Sequence, residues 1–505
     1  MTNSKLEQSQ KPDVQTFEAG ARKMTEKIAE HNPESFFAAT EDPLHAAFGA
    51  KAIIHSGPSG MPLLGEEARA KLNSMADTPR EDGRTLAYIH VPFCETRCLY
   101  CMFYQNPFKV EATHTYALAL CKELEMWAHR ASHASGKVNA VYFGGGTPTA
   151  FEPDDLRMVL AAVKKYLPLA NDAEITLEGR IHNFGDAKIE AALEGGVNRF
   201  SLGVQTFNTG IRQSMNRVDD RDTIIKRLDK LCSYNNAAVV CDMIYGFPGQ
   251  TMDIWEDDLK VATSLNLDGV DCYQLNVFEK SPLARRIAAG KLPPAADTAM
   301  KADFFAKSVE FMTTANWRRL SNNHWGSGVR ERNIYNTYGK SACDCLAFGS
   351  GAGGRLFGHS YMIERRLDDY YSVIEKGEKP AAFCMAPKAN WKLLRTLSAA
   401  MESGSISLSQ IGREFGLSLE AMAAPIMNQW VDAGLLTKRG EWYLQTVAGQ
   451  YWHVTLAQLL ISWLEPMLPG YEAPKPMMGM GHPGMGHGHP GMKPGAKRPA
   501  GHPEN

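Results

Sequence analysis

Three closely spaced cysteines are the strongest chemical signal in the sequence. Cys94, Cys98 and Cys101 form a Cys-x3-Cys-x2-Cys run directly after a predicted strand, and an aromatic residue, Tyr100, precedes the third cysteine. Three thiolates at this spacing can hold three corners of a four-iron, four-sulfur (4Fe-4S) cluster, so that the fourth iron has no cysteine ligand. Structural zinc is the main alternative, but it takes four protein ligands in two separated pairs, and no second Cys/His pair follows at that spacing. We therefore predict a 4Fe-4S cluster with one open iron.

A glycine-rich turn and several polar residues stand where other predicted strands end. Gly144, Gly145 and Gly146, followed by Thr147, close the second predicted strand. Glycines at such a turn let backbone amides and carbonyls approach a small zwitterion closely. Polar side chains also accompany the third, fourth and fifth predicted strands, namely Glu178, Gln205, Arg217 and Asp242. Each alone is more often a structural hydrogen-bonding residue, but together they indicate a binding site.

The elements that must position these residues alternate between strand and helix from about residue 85 to 280. The candidate strands are TLAYIHVPF, VNAVYFGGG, EITLEG, RFSLGVQ, AVVCDMIYG and DGVDCYQLNVF, and amphipathic helical segments separate them. Strands alternating with helices predict βαβ units and a parallel sheet with right-handed crossovers. The predicted fold class is α/β, a partial (β/α)6 TIM-like barrel whose active site forms at the carboxyl ends of the strands.

Composition divides the rest of the chain into further regions. We predict an N-terminal extension (1–82), the barrel (83–300), a substrate-side region that completes it (301–384), a winged-helix-like C-terminal domain (385–469) and a Met/His/Gly/Pro-rich tail (470–505). The tail has the composition of a disordered segment. Basic residues are sparse around the second and third helices of the winged-helix-like region, so we expect a packing or lid role there and no nucleic-acid partner.

Charge and hydrophobicity exclude several classes of partner. The formal net charge of −2 gives no general attraction to nucleic acid or acidic membranes. No apolar run approaches the roughly 20 residues that a membrane-spanning helix needs, and the N-terminus lacks the apolar core of a secretory signal. We therefore expect a cytoplasmic protein without membrane insertion. In that compartment most of the ten cysteines are expected to be buried, inert thiols.

The cysteine loop also carries a family resemblance. The segment YIHVPFCETRCLYC resembles the cluster loop of radical S-adenosylmethionine (SAM) enzymes of the oxygen-independent coproporphyrinogen oxidase-like class, and the resemblance extends from about Thr85 to Gln450. It implies that SAM chelates the open iron and that an electron from the cluster cleaves SAM to methionine and a 5′-deoxyadenosyl radical. It implies cluster ligands and SAM contacts at Cys94, Cys98, Cys101, Tyr88, Tyr100, Gly144, Gly145, Gly146, Thr147, Glu178, Gln205, Arg217, Asp242 and Asn276. By the same resemblance Asp242 is a catalytic candidate near the substrate or a second SAM.

Two differences from the sequence motifs of this class indicate which of its branches the sequence resembles. The oxidase itself carries another cysteine two positions after the third ligand, where this sequence has Phe103. The related haem-chaperone branch carries a His-Asn-x-x-Tyr-Trp motif, and the matching stretch here, Arg332 to Asn336, has no histidine. The sequence more closely resembles the anaerobic haem-utilisation branch of radical SAM methyltransferases, through its N-terminal extension, the QNP after the cluster loop, EGR and ERNIYN…FGSGAGGR.

The branch resemblance implies a substrate and a reaction. Haem would be the substrate, and a SAM-derived carbon would be added as the macrocycle opens without oxygen and iron is released. Two SAM molecules are then needed, with Gln274 and Asn276 as second-SAM contacts, together with a low-potential electron donor such as a flavodoxin. A haem chaperone, a porphyrinogen-decarboxylating oxidase and a DNA regulator stay open as alternatives, as does the oligomeric state.

Other residues have open interpretations. Cys343 and Cys345 are catalytic candidates as hydrogen-atom donors, while simple packing in a strand is the alternative. Imidazole and thioether groups in the tail suit soft metals or haem iron, and incidental metal affinity is the alternative. The tail residues concerned are His482, His487, His489, His502, Met478, Met480, Met485 and Met492. Candidate haem ligands elsewhere are His55, His182, His324 and His359, among which the sequence does not choose.

Overall fold

Six parallel strands lie side by side in the order in which the chain produces them. The computed structural model describes residues 33–53, 61–81 and 83–471. The six strands are β1 (Thr85–Val91), β2 (Val138–Gly145), β3 (Leu169–Gly179), β4 (Arg199–Gln205), β5 (Ala238–Tyr245) and β6 (Gly269–Gln274). A seventh, β7 (Asp344–Phe348), pairs in parallel with the free side of β1. The predicted partial barrel is therefore confirmed, with one more parallel strand than the sequence indicates.

Shorter antiparallel strands extend the sheet at both ends. Beyond β7 they are Gly353–Leu356, His359–Ile363, Ala381–Met385 and Leu63–Leu64, and beyond β6 they are His324–Gly326 and Arg318–Arg319. Among the described residues the last strand at one end does not pair with the last strand at the other. The sheet is consequently open, and its parallel centre carries the cysteine loop.

Helices connect and flank the strands. They are Pro43–Ala46, Gly65–Ala76, Val110–Ala128, Ala131–Ala134, Pro153–Tyr166, Asp186–Glu194, Thr209–Ser214, Arg221–Tyr234, Met252–Ser264, Pro282–Ala288, Thr298–Thr314, Ile334–Gly339 and Leu367–Glu375. Single-turn 3-10 helices lie at Pro33–Phe36, Pro148–Ala150 and Glu465–Met467. None of the described helices combines the length and apolarity that a membrane crossing requires.

The helix Arg221–Tyr234, the second helix after β4, shows how the sequence sets these boundaries. The Asp220 side chain accepts the backbone N–H of Thr223 at 2.9 Å and so caps the helix at its start. Asn235 ends it in the left-handed conformation, which asparagine tolerates. Ile224 and Leu228, one turn apart, are fully buried against the sheet. Burial of each such side chain contributes about 1.5–3 kcal/mol to folding.

The C-terminal elements follow the order of a winged helix. They are Trp391–Glu402, Ser405–Ile406, Leu408–Phe415, Leu419–Asp432, Leu436–Arg439 and Trp442–Gln445, that is helix, strand, two helices and two strands, and Val447–Tyr451 and His453–Leu464 are helices that follow. The three strands form a separate antiparallel sheet.

The N-terminal segment 33–53 packs against this C-terminal region. The indole N–H of Trp430 donates to the backbone carbonyl of Phe36 at 2.9 Å, and that of Trp452 donates to the carbonyl of Leu44 at 3.0 Å. Both tryptophans are fully buried. These bonds satisfy polar groups that would otherwise be costly to bury, so they tie the beginning of the described chain to its end.

Candidate active site

The loop after β1 brings the three cysteines to the carboxyl edge of the sheet. Its first residues, Phe93–Cys94, form a short strand paired with Asn106–Pro107. The thiols of Cys94 and Cys98 are buried and that of Cys101 is half-buried. Among the described residues, no three or more His, Cys, Asp or Glu side chains are arranged so that they could hold a single metal ion.

Each cysteine sulfur has a hydrogen-bond donor beside it. Thr147 Oγ1 donates to Cys94 Sγ at 3.3 Å, and the backbone N–H of Phe103 donates to Cys101 Sγ at 3.3 Å. Donors of this kind stabilise the negative charge that thiolates bring to an iron–sulfur cluster. The donor set therefore fits a cluster.

The thiols differ in acidity because their neighbours differ. Burial raises the pKa of Cys94 to about 11 and also raises that of Cys101. Burial acts in the same sense on Cys98, but the guanidinium groups of Arg217 and Arg180 outweigh it, so the pKa of Cys98 is lowered. Arg217 Nη1 lies 3.5 Å from Cys98 Sγ. Cluster assembly must remove protons from the other two thiols, which metal binding does in general.

The glycine turn at the end of β2 leaves no room for side chains. A Cβ on Gly146 would lie 2.6 Å from the carbonyl oxygen of Phe93, and one on Gly144 would lie 2.7 Å from Glu178 Oε2. Gly145 has φ of 111°, a conformation that favours glycine. The backbone of this turn thus contacts both the cysteine loop and Glu178 at the end of β3, and its role in binding SAM stays a prediction.

A β-bulge at the end of β4 turns Gln205 toward the site. The register with β5 shifts between Gly203 and Gln205, and Gln205 has φ of 76°, which is strained for a residue other than glycine. Its Oε1 is buried and has no hydrogen-bond partner among the described residues. Arg217 Nε and Arg180 Nε are likewise buried without a hydrogen-bond partner among the described residues. Buried polar atoms without partners are rare in native proteins, so these three atoms fit a polar ligand.

Two carboxyl groups, on β3 and on β5, have strongly raised pKa values. Burial raises the pKa of Glu178 to about 8, and the nearby Asp242 adds to the shift. Burial likewise raises the pKa of Asp242 to about 7, and Asp271 adds to it. Ser201 Oγ donates to Asp242 Oδ1 at 3.3 Å. Groups with such pKa values can take up or release protons near neutral pH.

The two tyrosines predicted to contact SAM, Tyr88 and Tyr100, have different neighbours. The Tyr88 hydroxyl is 3.1 Å from His90 Nδ1, and its ring stacks on Tyr142 with centroids 6.4 Å apart. Tyr100 accepts a hydrogen bond from Arg217 Nη1 at 3.2 Å. Burial raises the pKa of both phenols, so both are neutral at physiological pH.

A cavity of about 410 Å³ lies next to the ends of β5 and β6. Asn276 lines it together with Gln274, whose Nε2 donates to Asn276 Oδ1 at 3.0 Å. The remaining walls come from the N-terminal segment (Lys51, Ala52, Ile53), from the central strands and adjoining segments (Tyr245, Asp271, Tyr273, Phe305, Ser321, Asn323, Asn333, Asn336, Lys340) and from the C-terminal region (Glu402, Gln450, Tyr451, His453, Val454).

A buried ionic network behind this cavity escaped the sequence analysis. His324 Nδ1 lies 2.7 Å from Asp271 Oδ2, and its Nε2 lies 3.1 Å from Glu331 Oε1. Arg199 Nε pairs with Glu331 at 3.0 Å. Burial opposes the charge on His324, but the two carboxylates prevail and raise its pKa to about 9. Charged residues within otherwise apolar parallel strands, such as Arg199 and Asp271, were the signal that could have revealed the network.

The candidate haem-ligating histidines are already engaged where the structure describes them. Both ring nitrogens of His324 face carboxylates, and those of His182 lie 3.3 Å from Glu95 and 3.1 Å from Asp219. His359 Nδ1 lies 3.4 Å from the carbonyl of Phe357. His55 and the histidines and methionines of the tail lie outside the described residues.

Cys343 and Cys345 lie away from the cysteine loop. Both are buried beside Leu86 near the amino-terminal start of β1 and β7, whereas the loop follows the carboxyl end of β1. Cys343 Sγ donates to the carbonyl of Tyr338 at 2.9 Å. Burial raises the pKa of both thiols. A catalytic role for this pair stays a prediction.

Comparisons with known proteins agree with this geometry. A profile of the Radical SAM superfamily matches residues 88–262. The chain is 38% identical over 405 residues to anaerobilin synthase from Escherichia coli O157:H7, covering 79% of this chain and 89% of that protein. It is 29% identical over 302 residues to heme chaperone HemW from Synechocystis, covering 58% and 71%. Coproporphyrinogen III oxidase (HemN) from Escherichia coli has a similar structure, with a TM-score of 0.67, 20% identity and coverage of 79% and 94%.

The fold and the cysteine loop define a radical SAM protein, whose cofactors are a 4Fe-4S cluster and SAM. The chain belongs to the Radical SAM superfamily, in the HemN-like family that includes anaerobilin synthase.

Proposed function

We propose that this protein opens the haem macrocycle without oxygen, adds a SAM-derived methyl carbon and releases iron and a linear tetrapyrrole. The observation that carries the proposal is the 38% identity to anaerobilin synthase across 89% of that enzyme's length. Phe103, at the position where the oxidase has a further cysteine, supports the same choice within the family.

In this proposal the site residues divide into binding and proton-handling groups. Cys94, Cys98 and Cys101 hold three irons of the cluster, which when bound supplies the electron that cleaves SAM. The backbone of the glycine turn binds the SAM amino group. Arg217 binds the SAM carboxylate, since a guanidinium suits a carboxylate geometrically.

Glu178 and Asp242 are the residues that could handle protons in the same proposal. Their pKa values of about 8 and 7 leave protonated and ionised forms both populated near neutrality. Asp242 lies between Glu178 and the Asp271 that lines the cavity, because β5 neighbours β6 with Asp242 opposite Asp271. We assign Asp242 to proton exchange with the substrate and Glu178 to SAM binding.

A haem chaperone is the second candidate function, and the 29% identity to heme chaperone HemW supports it. A chaperone would bind haem stoichiometrically and return it intact. Arg332, at the position of the histidine of the chaperone motif, argues against it. We further propose that the protein works in the cytoplasm with a low-potential electron donor such as a flavodoxin.

Anaerobic turnover tests the proposal. Reconstituted protein, SAM, a low-potential reductant and haem should give loss of the haem Soret band and a tetrapyrrole heavier by one carbon unit. Cys98→Ala should prevent the loss of the Soret band and the formation of both the tetrapyrrole and deoxyadenosine. Cys232 is a half-buried cysteine on helix Arg221–Tyr234, and Cys232→Ala should leave all three unchanged. Deoxyadenosine with intact haem would instead favour the chaperone.

A further inference from the structure

Among the residues that the structure describes, one cation faces the 410 Å³ cavity without an acidic partner. Lys51, from the N-terminal segment, donates from Nζ to Gln274 Oε1 at 2.9 Å, and its Nζ lies 4.3 Å from the centre of the Tyr451 ring. Within the part of the chain that the structure describes, no carboxylate lies within 4.0 Å of this ammonium group. The hydrogen bond to Gln274 and the contact with the Tyr451 ring hold the Lys51 side chain in position.

The other charged groups of the cavity wall are paired. Lys340 Nζ forms an ion pair with Glu402 Oε1. Asp271 lies 2.7 Å from His324 Nδ1, which carries the positive charge described above. The two members of each pair neutralise each other, so the uncompensated charge at this wall is that of Lys51.

The environment of Lys51 disfavours its charge as the protein stands. Burial lowers its pKa to about 7, and the positive charge of Lys301 adds to the effect. An ammonium group removed from water and without a counter-ion is costly, and a carboxylate within contact distance would offset that cost. Gln274 and Asn276 add amide groups that can hydrogen-bond an anionic group beside it.

We propose that Lys51 binds a carboxylate of the molecule that occupies this cavity. The proposal rests on the proposed function, under which two carboxylate-bearing molecules are present, the propionates of haem and the amino-acid end of a second SAM. Either would place its carboxylate beside Lys51 Nζ, on the side not occupied by Gln274 and within reach of the Asn276 amide. The N-terminal segment therefore contributes directly to ligand recognition.

Equilibrium binding to the reconstituted full chain tests this inference without relying on turnover. Haem is compared with haem dimethyl ester, and the SAM stoichiometry and affinity are measured in separate titrations. Lys51→Gln and Lys51→Met remove the charge, and Lys51→Arg retains it. Lys301→Gln is the matched control, because Lys301 neighbours Lys51 but does not line the cavity.

If the carboxylate belongs to haem, the neutral variants should bind haem at least about tenfold more weakly and lose the preference over the ester. If it belongs to SAM, the neutral variants should lose affinity for the second SAM equivalent by a similar factor while haem binding is unchanged. Lys51→Arg should behave as the wild type in both titrations, and Lys301→Gln should bind neither ligand more weakly than the wild type, because the charge of Lys301 disfavours that of Lys51. Unchanged binding of both ligands in the neutral variants overturns the inference, whereas failure of the wild type to convert haem bears only on the proposed function.

Discussion

At the scale of single residues, the site contains carboxyl groups whose pKa values are raised well above the ordinary range. Asp242 has its pKa raised to about 7, so the folded protein retains a proton that the unfolded chain releases near pH 4. A raised carboxyl pKa lowers stability as pH rises, because between these two values the unfolded state binds fewer protons. This cost is the physical consequence of burying Asp242 close to Asp271.

Asp242→Asn should therefore be more stable than the wild type at pH 8 and should lose less stability between pH 4 and 8. Each unit of pKa shift corresponds to about 1.4 kcal/mol, so a gain of 1 kcal/mol or more at pH 8 is expected. Chemical denaturation at several pH values measures it, with the exposed Asp229→Asn as control. Equal pH profiles for wild type and Asp242→Asn would contradict the predicted protonation. Haem conversion should fall in Asp242→Asn even though its stability rises.

At the scale of elements, a buried polar cluster fixes the glycine-rich loop that follows β7. Glu123, on helix Val110–Ala128, accepts the backbone N–H of Gly349 at 2.8 Å and the Tyr370 hydroxyl at 2.7 Å. Lys379 Nζ lies 2.7 Å from its other oxygen, and both charged side chains are fully enclosed. Removal of one member of such a pair leaves an uncompensated buried charge.

Glu123→Ala should accordingly reduce the free energy of unfolding by about 3–5 kcal/mol. Glu441→Ala breaks an exposed pair with Arg413 of similar geometry, 2.9 Å, and should change stability little. Denaturation of both variants, followed by circular dichroism, compares them directly. A similar small effect in both would mean that the buried pair contributes no more than the exposed one.

How far the sequence predicts the molecule also depends on scale. The six strands β1–β6 were predictable because long apolar runs alternate with amphipathic helices, and the cysteine loop because its ligands are adjacent in sequence. β7 is short, and its pairing with β1 brings together segments remote in the chain, so periodicity alone does not indicate it. Lys51 and Glu331 became site candidates only through contacts across the fold, which no local pattern encodes.

At the scale of the whole molecule, segment 33–53 joins the C-terminal region around the cavity. Besides the tryptophan contacts, the backbone N–H of Ala52 donates to Thr455 Oγ1 at 2.9 Å, and Gln429 exchanges two hydrogen bonds of 2.8 Å with the backbone of Ala38. The cysteine loop receives its sulfur donors from Thr147, Phe103 and Arg217 instead. Under the proposals above, ligand recognition at the cavity and SAM cleavage at the cysteine loop therefore depend on different contacts.

Weakening this junction should separate the two activities. Gln429→Ala combined with Trp452→Phe removes three of its hydrogen bonds and should lower haem affinity severalfold, while SAM cleavage without substrate continues. Anaerobic haem titration and deoxyadenosine release measure the two properties. Parallel loss of both would show that the junction supports the whole barrel.

The same junction imposes an order on biosynthesis. All the residues of β1–β6, the cysteine loop and the glycine turn are synthesised before residues 429–455, because translation runs from the N-terminus. The cavity wall formed by Lys51 and Tyr451 cannot exist until translation has passed that point. The residues proposed to hold the cluster and SAM are therefore made before the cavity wall is complete, and a chain that ends before Tyr451 lacks part of that wall.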